Sequence, residues 1–298
     1  MTFYSLDTAM EAQLLHWLKY FEAQNRPGLS DSIAITWIRY ETYPRTGNGR
    51  GASWRHRCLF YPSSIASLVY AIAIEEWLKR DWLPDSHELR RALHDMLVES
   101  NNDAAGFIVD LLTGTTSGPS LHGVAWQNWK EQRQVVNQWL RSLKWKELEQ
   151  VNCCQKIWGN GPYGREYDFA NLAGRYNTLT TEAAAIMLEA VMSNAIVSPV
   201  ACSRLRNLLL RPLDLNSNCC CNPGNQIAGF LGAGVPSGSR LWSKTGWTNQ
   251  VRHEAACWQP SDSGPTTLLV VFSAGEERSN DDLLLPGLAT VLQSLETT

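Results

Sequence analysis

Between Ile65 and Ile74 lies the stretch that most constrains the fold. Ile65, Ala66, Leu68, Val69, Ala71, Ile72, Ala73 and Ile74 would cover nearly the whole circumference of a helix spanning about 64–80. A helix that is apolar all round has no face to give to water, so the rest of the chain must be built around it. Pro62 and Ser63 mark its start, with Ser63 expected as the N-cap. Ser64 then falls in the first turn, where unpaired backbone N–H groups and the positive dipole end favour a developing anion. A serine there can act as a nucleophile, although the position equally suits an ordinary spare cap.

Around that helix the other elements fall in a suggestive order. Residues 32–41 alternate apolar and polar and read as a strand. The Gly- and Arg-rich run at 42–55 reads as a hairpin loop before a short strand, Arg57–Phe60. Helical patterns follow at 102–112, 126–142, 180–194 and 200–211; strands return at 240–245, 250–258 and 267–274, before a last helix at 281–296. An N-terminal amphipathic helix places Leu14, Leu15, Leu18 and Phe21 on one face. Strands at both ends with helices between them predict an α+β fold, an antiparallel sheet assembled from the two termini beside a helical middle. Without a repeat or linker composition, the 298 residues are expected to form one domain, its sheet part at 1–60 and 212–298 and its helical part at 61–211.

Composition narrows the function classes. A net charge of -3 gives no reason to invoke nucleic acid or an anionic membrane surface. No apolar run reaches the length of a membrane span, and the acidic N-terminus does not read as a secretory signal, so a cytoplasmic location is expected. Thirteen tryptophans read as core and interface packing. The eight cysteines include Cys153-Cys154 and Cys219-Cys220-Cys221, contiguous runs without metal-ligand spacing; reduced thiols are expected, with no metal and no cofactor. The sequence leaves self-association open.

Two further short elements matter with Ser64. Ser100-Asn101-Asn102-Asp103 opens the pattern at 102–112 and, read alone, is close to a capping box formed by Ser100 and Asp103. Lys244-Thr245-Gly246 ends a strand and precedes a hairpin partner, Val251–Trp258. Each is weak alone. In this order, a serine opening a buried helix, then Ser-x-Asn, then Lys-Thr-Gly on a strand, they resemble the three-motif signature of class A β-lactamases and penicillin-binding proteins. Phe60-Tyr61-Pro62-Ser63-Ser64, Asn177-Thr178-Leu179-Thr180-Thr181 and Arg252-His253-Glu254-Ala255 extend the likeness over most of the chain, towards β-lactamase-like serine hydrolases of the cytoplasm.

The resemblance implies roles. Ser64 would attack an amide or lactam carbonyl and form an acyl-enzyme. The backbone N–H groups of Ser64 and Trp247 would form the oxyanion hole. Ser100 would relay a proton to the leaving nitrogen, Asn102 would hold the substrate's side-chain amide, and Lys244, Thr245 and Gly246 would form the strand that engages a substrate carboxylate. Glu166 would stand for a deacylating carboxylate, a placement that a plain ion pair with an arginine fits equally well. One departure is decisive: the family writes Ser-x-x-Lys, whereas this chain writes Ser64-Ile65-Ala66-Ser67. A hydroxyl at Ser67 is no base near neutral pH, and losing a positioned base removes about 10²- to 10⁴-fold in rate. Three readings follow: a serine hydrolase of altered activity with Lys244 or Glu166 as base, a degenerate member serving as a binding or scaffold module, or a glutaminase-like amidohydrolase.

Overall fold

The computed structural model describes residues 2–174, 176–213, 226–260 and 264–293. The Cys219–Cys221 run lies outside the described residues. The strands are β1 (Ser5–Leu6), β2 (Ile33–Tyr40), β3 (Arg50–Trp54), β4 (Leu210–Arg211), β5 (Arg240–Trp247), β6 (Val251–Gln259) and β7 (Thr266–Ala274). They form one sheet in the order β1-β3-β2-β7-β6-β5-β4. Every pairing is antiparallel except β1 with β3, which is parallel. The predicted sheet built from both ends of the chain is therefore present, with one parallel pair added at its edge.

Burial on both faces explains the apolar strands. Along β2, Ile33, Ile35 and Trp37 join one core cluster while Ala34, Ile38 and Tyr40 join the other, as the period of two in a strand requires. One face is covered by α1 (Thr8–Ala23), with α2 (Leu29–Ser32) following it, and by the C-terminal α11 (Glu276–Ser279) and α12 (Leu284–Gln293). The helical part comprises α3 (Ala66–Lys79), α4 (His87–Leu97), α5 (Asn102–Thr113), α6 (Gly123–Arg133), α7 (Val135–Ser142), α8 (Gly164–Tyr167), α9 (Thr181–Met192) and α10 (Pro199–Leu209). Of these, α3, α4, α5, α7, α9 and α10 share the core of the other face, whereas α6 places Trp129 in a separate small cluster with Cys154 and Phe169. In α3, every residue from Ala66 to Glu75 is buried, as the all-round apolar pattern demands. Each fully buried Leu, Ile or Val there contributes about 1.5–3 kcal/mol through removal from water. Glu75, the acid on that helix, is held by ion pairs with Arg90 and Arg204.

Several local expectations differ from the structure. The strand lies at Arg50–Trp54, inside the stretch read as a loop, and not at Arg57–Phe60, where Phe60 makes only an isolated bridge to Leu179. Pairing with both β1 and β2 holds that Gly- and Arg-rich segment extended. Helix α1 buries Met10 and Trp17 with Leu14, Leu18 and Phe21, whereas Leu15 faces outward at 39% exposed. The pattern at 126–142 is two helices, and α4 had no counterpart in the sequence reading.

Candidate active site

The catalytic serine candidate sits in a 3₁₀ turn, Ser63–Ile65, that leads into α3. Ser63 is not the expected N-cap. It adopts φ +48°, a left-handed conformation that costs a non-glycine residue about 1–2 kcal/mol, and its hydroxyl donates to the Trp247 carbonyl at 3.3 Å. Strain of this kind persists where surrounding structure enforces it, commonly beside a functional group. Here the neighbour is Ser64, itself buried.

The end of β5 presses on this turn. A Cβ on Gly246 would lie 2.8 Å from the Pro62 carbonyl oxygen and 3.3 Å from the Ile65 nitrogen, so only glycine lets strand and turn approach this closely. The neighbouring strand adds a second tie. His253, opposite Gly246 in β6, faces the Tyr61 carbonyl through Nε2 at 2.9 Å, and its Nδ1 accepts from the Ser273 N–H at 3.1 Å. Since Nδ1 accepts, Nε2 carries the proton and donates to Tyr61. Burial pushes the imidazole down to about 4, so it stays neutral. Sequence reading placed His253 only within a family-like strand; its clamp on the residues before Ser64 depends on a contact 192 positions away and has no local signal.

Lys244 brings the second element to the third. Its Nζ lies 2.8 Å from Ser100 Oγ, 2.9 Å from Gln226 Oε1 and 3.0 Å from the Thr245 carbonyl. Fully buried, the amine is pushed well below its ordinary range, first by desolvation and then by the nearby Arg211 guanidinium; Glu254 opposes them. Ser100 also takes a left-handed φ of +55°, and the capping role expected of it with Asp103 is filled by Asn101, whose side chain accepts from Ala104 N. Asn102 opens α5 half-buried, its Nδ2 3.7 Å from where a Cβ of Gly159 would stand. Thus Ser64, Lys244–Trp247 and Ser100–Asn102 are tied through two chains of contacts, one at Gly246 and one at Lys244.

Four residues around Lys244 had no role in the motif reading, which quoted only Glu254 among them and only as part of a family-like strand. Arg211 donates to the Leu97 and Ser243 carbonyls at 2.8 and 2.9 Å, and burial lowers it to about 10. Glu254, buried opposite Thr245, accepts from Leu231 N, and desolvation pushes its carboxyl up to about 8. Ser243 and Gln226 complete the group. Gln226 Oε1 also receives Thr245 N at 3.2 Å and Thr245 Oγ1 at 3.1 Å, while its Nε2 donates to the Leu97 and Val98 carbonyls at 3.0 and 2.8 Å.

Glu166 and Ser67 stand differently. Glu166, in α8, is fully buried in an ion pair with Arg133 and accepts from Ser117 Oγ at 3.0 Å. Burial raises its carboxyl while Arg133 and Ser117 hold it down. Arg133 also reaches Asp110, eight residues beyond Asn102 on α5 and so about 12 Å further along that helix. Ser67 is buried in α3.

Among the described residues, no group of acidic, histidine and cysteine side chains could hold a metal ion, and no helix is long and apolar enough to cross a membrane. Among the described residues, Cys58, Cys153, Cys154, Cys202 and Cys257 form no disulfide with one another.

No curated protein sequence matches the chain. Solved structures do. An ancestral class A β-lactamase aligns at 15% identity over 96% of this chain and 99% of its own, with a TM-score of 0.62. The class A β-lactamase of the last common ancestor of Gram-negative bacteria aligns at 16% identity over 96% and 99%, with a TM-score of 0.61. The structure of PBP-A matches at 15% identity over 98% of both chains, with a TM-score of 0.62. At such identities these likenesses speak for the fold. The sequence profile of the beta-lactamase enzyme family matches residues 83–290, most of the chain, and the protein belongs to that family.

Proposed function

We propose that the protein is a serine acyl hydrolase of β-lactamase type, acting on a small amide or lactam in the cytoplasm, with Ser64 as nucleophile and Lys244 in place of the missing base at Ser67. One observation carries the reading: the fully buried Lys244 amine lies 2.8 Å from Ser100 Oγ. A neutral amine has two N–H donors and one lone pair. Nζ donates to Ser100 Oγ, Gln226 Oε1 and the Thr245 carbonyl; once it gives up one proton, the two donations to Gln226 and Thr245 remain and the lone pair turns to the Ser100 hydroxyl. Desolvation and Arg211 favour the same form.

In this scheme the Ser64 proton passes to Ser100 as the Ser100 proton passes to Lys244, and Ser64 Oγ bonds to the substrate carbonyl carbon. The oxyanion is received by the Ser64 and Trp247 N–H groups. Collapse breaks the carbon–nitrogen bond, and the proton held on Lys244 returns through Ser100 to the leaving nitrogen. Water then hydrolyses the acyl-enzyme by the same relay. Asn102 and the β5 edge position the substrate. The Arg133 ion pair supports a scaffolding role for Glu166 in place of a deacylating one.

Turnover of a chromogenic amide or ester tests the reading. Activity should vanish in Ser64→Ala and fall about 10²- to 10⁴-fold in Lys244→Met, the usual worth of a positioned base. Turnover indifferent to Ser64→Ala would refute it. The absence of the Ser-x-x-Lys lysine favours a second reading, a cleft that binds the same ligands without chemistry. Saturable binding without any turnover would select it.

A further inference from the structure

Lys244 and Thr245 are the cation and hydroxyl expected to receive a substrate carboxylate, and in the structure both are already occupied by one atom. Gln226 Oε1 takes Lys244 Nζ at 2.9 Å, Thr245 Oγ1 at 3.1 Å and Thr245 N at 3.2 Å. An amide oxygen offers two lone pairs, so three donors saturate it. The orientation of the amide is fixed by its other end, because Nε2 faces the Leu97 and Val98 carbonyls at 3.0 and 2.8 Å. A flipped amide would set oxygen against two carbonyls and N–H groups against Lys244 and Thr245. Gln226 is 4% exposed, so it is part of the wall and not a side chain resting on the surface.

We propose that Gln226 stands in for the substrate carboxylate, so that the cleft takes amides or lactams whose leaving side is neutral. The inference rests on the catalytic reading above, in which a single amine cannot both be neutral to accept a proton and charged to clamp an anion. In a site that has lost the lysine at position 67 and draws its base from Lys244, a neutral internal acceptor is the compatible partner. A carboxylate entering here would have to displace five hydrogen bonds of Gln226 and leave the Leu97 and Val98 carbonyls, at the negative end of α4, facing an anion.

The test compares benzylpenicillin with its neutral methyl ester by calorimetric titration in a Ser64→Ala background, so that binding is read without acylation. With Gln226 present, the free acid should bind no more tightly than the ester. Gln226→Ala, or Gln226→Ser if the alanine variant does not fold, should raise affinity for the acid about tenfold or more and leave the ester unchanged, the scale of a hydrogen bond to a charged group. Tenfold preference for the acid with Gln226 in place would overturn the proposal. So would an acid-to-ester ratio unchanged in the variants, or no binding of the acid to them. Turnover at Ser64 is a separate measurement, so its failure and the failure of this inference are told apart.

Discussion

Acidification should loosen the site through His253, and the size of the effect follows from its surroundings. An imidazole titrates near 6.5 in an unfolded chain, and burial lowers it to about 4 in the folded protein. Between those values the unfolded state binds the extra proton. His253 therefore contributes stability that is fully present above about pH 6.5 and is lost as pH falls through about 4. The difference of about 2.5 units, at 1.36 kcal/mol each, comes to about 3 kcal/mol, a large share of the 5–15 kcal/mol typical of a folded domain. Glu189 and Glu254, raised to about 7 and about 8, act in the opposite sense, their contributions present at low pH and lost as pH rises through those values. The His253 contribution is therefore isolated by difference. Urea unfolding of wild type and His253→Gln at pH 7 and pH 4 should show wild type losing about 3 kcal/mol more than the variant on acidification. Equal losses would refute the neutral, buried clamp on Tyr61.

Other perturbations have defined outcomes. Ser67→Lys should place an amine one turn from Ser64 and raise the rate of covalent labelling about 10²-fold or more, read by intact mass; an unaltered rate in a folded variant would mean that the cleft has drifted beyond rescue by that base. Glu166→Gln should leave the buried Arg133 with Asp110 alone as counter-charge and cost about 3 kcal/mol in urea unfolding, the lower end for breaking one side of a buried pair. Gly246→Ala should force apart Pro62 and β5, costing about 1–3 kcal/mol and slowing labelling of Ser64; unchanged stability and rate would show that the approach is looser than 2.8 Å.

What the sequence made legible were features that repeat along the chain or sit within a few residues. The all-round apolar run fixed α3 as the central helix, alternation revealed β2, and the strand readings at 240–245, 250–258 and 267–274 fall on β5 to β7. Strand β3 was hidden because RGASW carries no alternating pattern and is held extended by β1 and β2. The caps were misassigned for a similar reason. Ser63 and Ser100 look like N-caps locally, but their hydroxyls are engaged by Trp247 and Lys244, 184 and 144 positions away. Arg211 and Gln226 belong to no motif, and His253 is part of one without its role being readable, since each acts through backbone carbonyls or side chains remote in sequence. Glu166 shows the limit of position by analogy: its family-like segment was readable, but its partner Arg133 was not.

Placement of Ser64 in an assembled nucleophilic site is the claim on which the rest depends, and covalent labelling addresses it most directly. After incubation with a neutral fluorophosphonate, intact-mass spectrometry of the wild-type protein should show one adduct, mapped to the peptide containing Ser64 and absent from Ser64→Ala. No adduct, or one that persists in Ser64→Ala, would contradict the account.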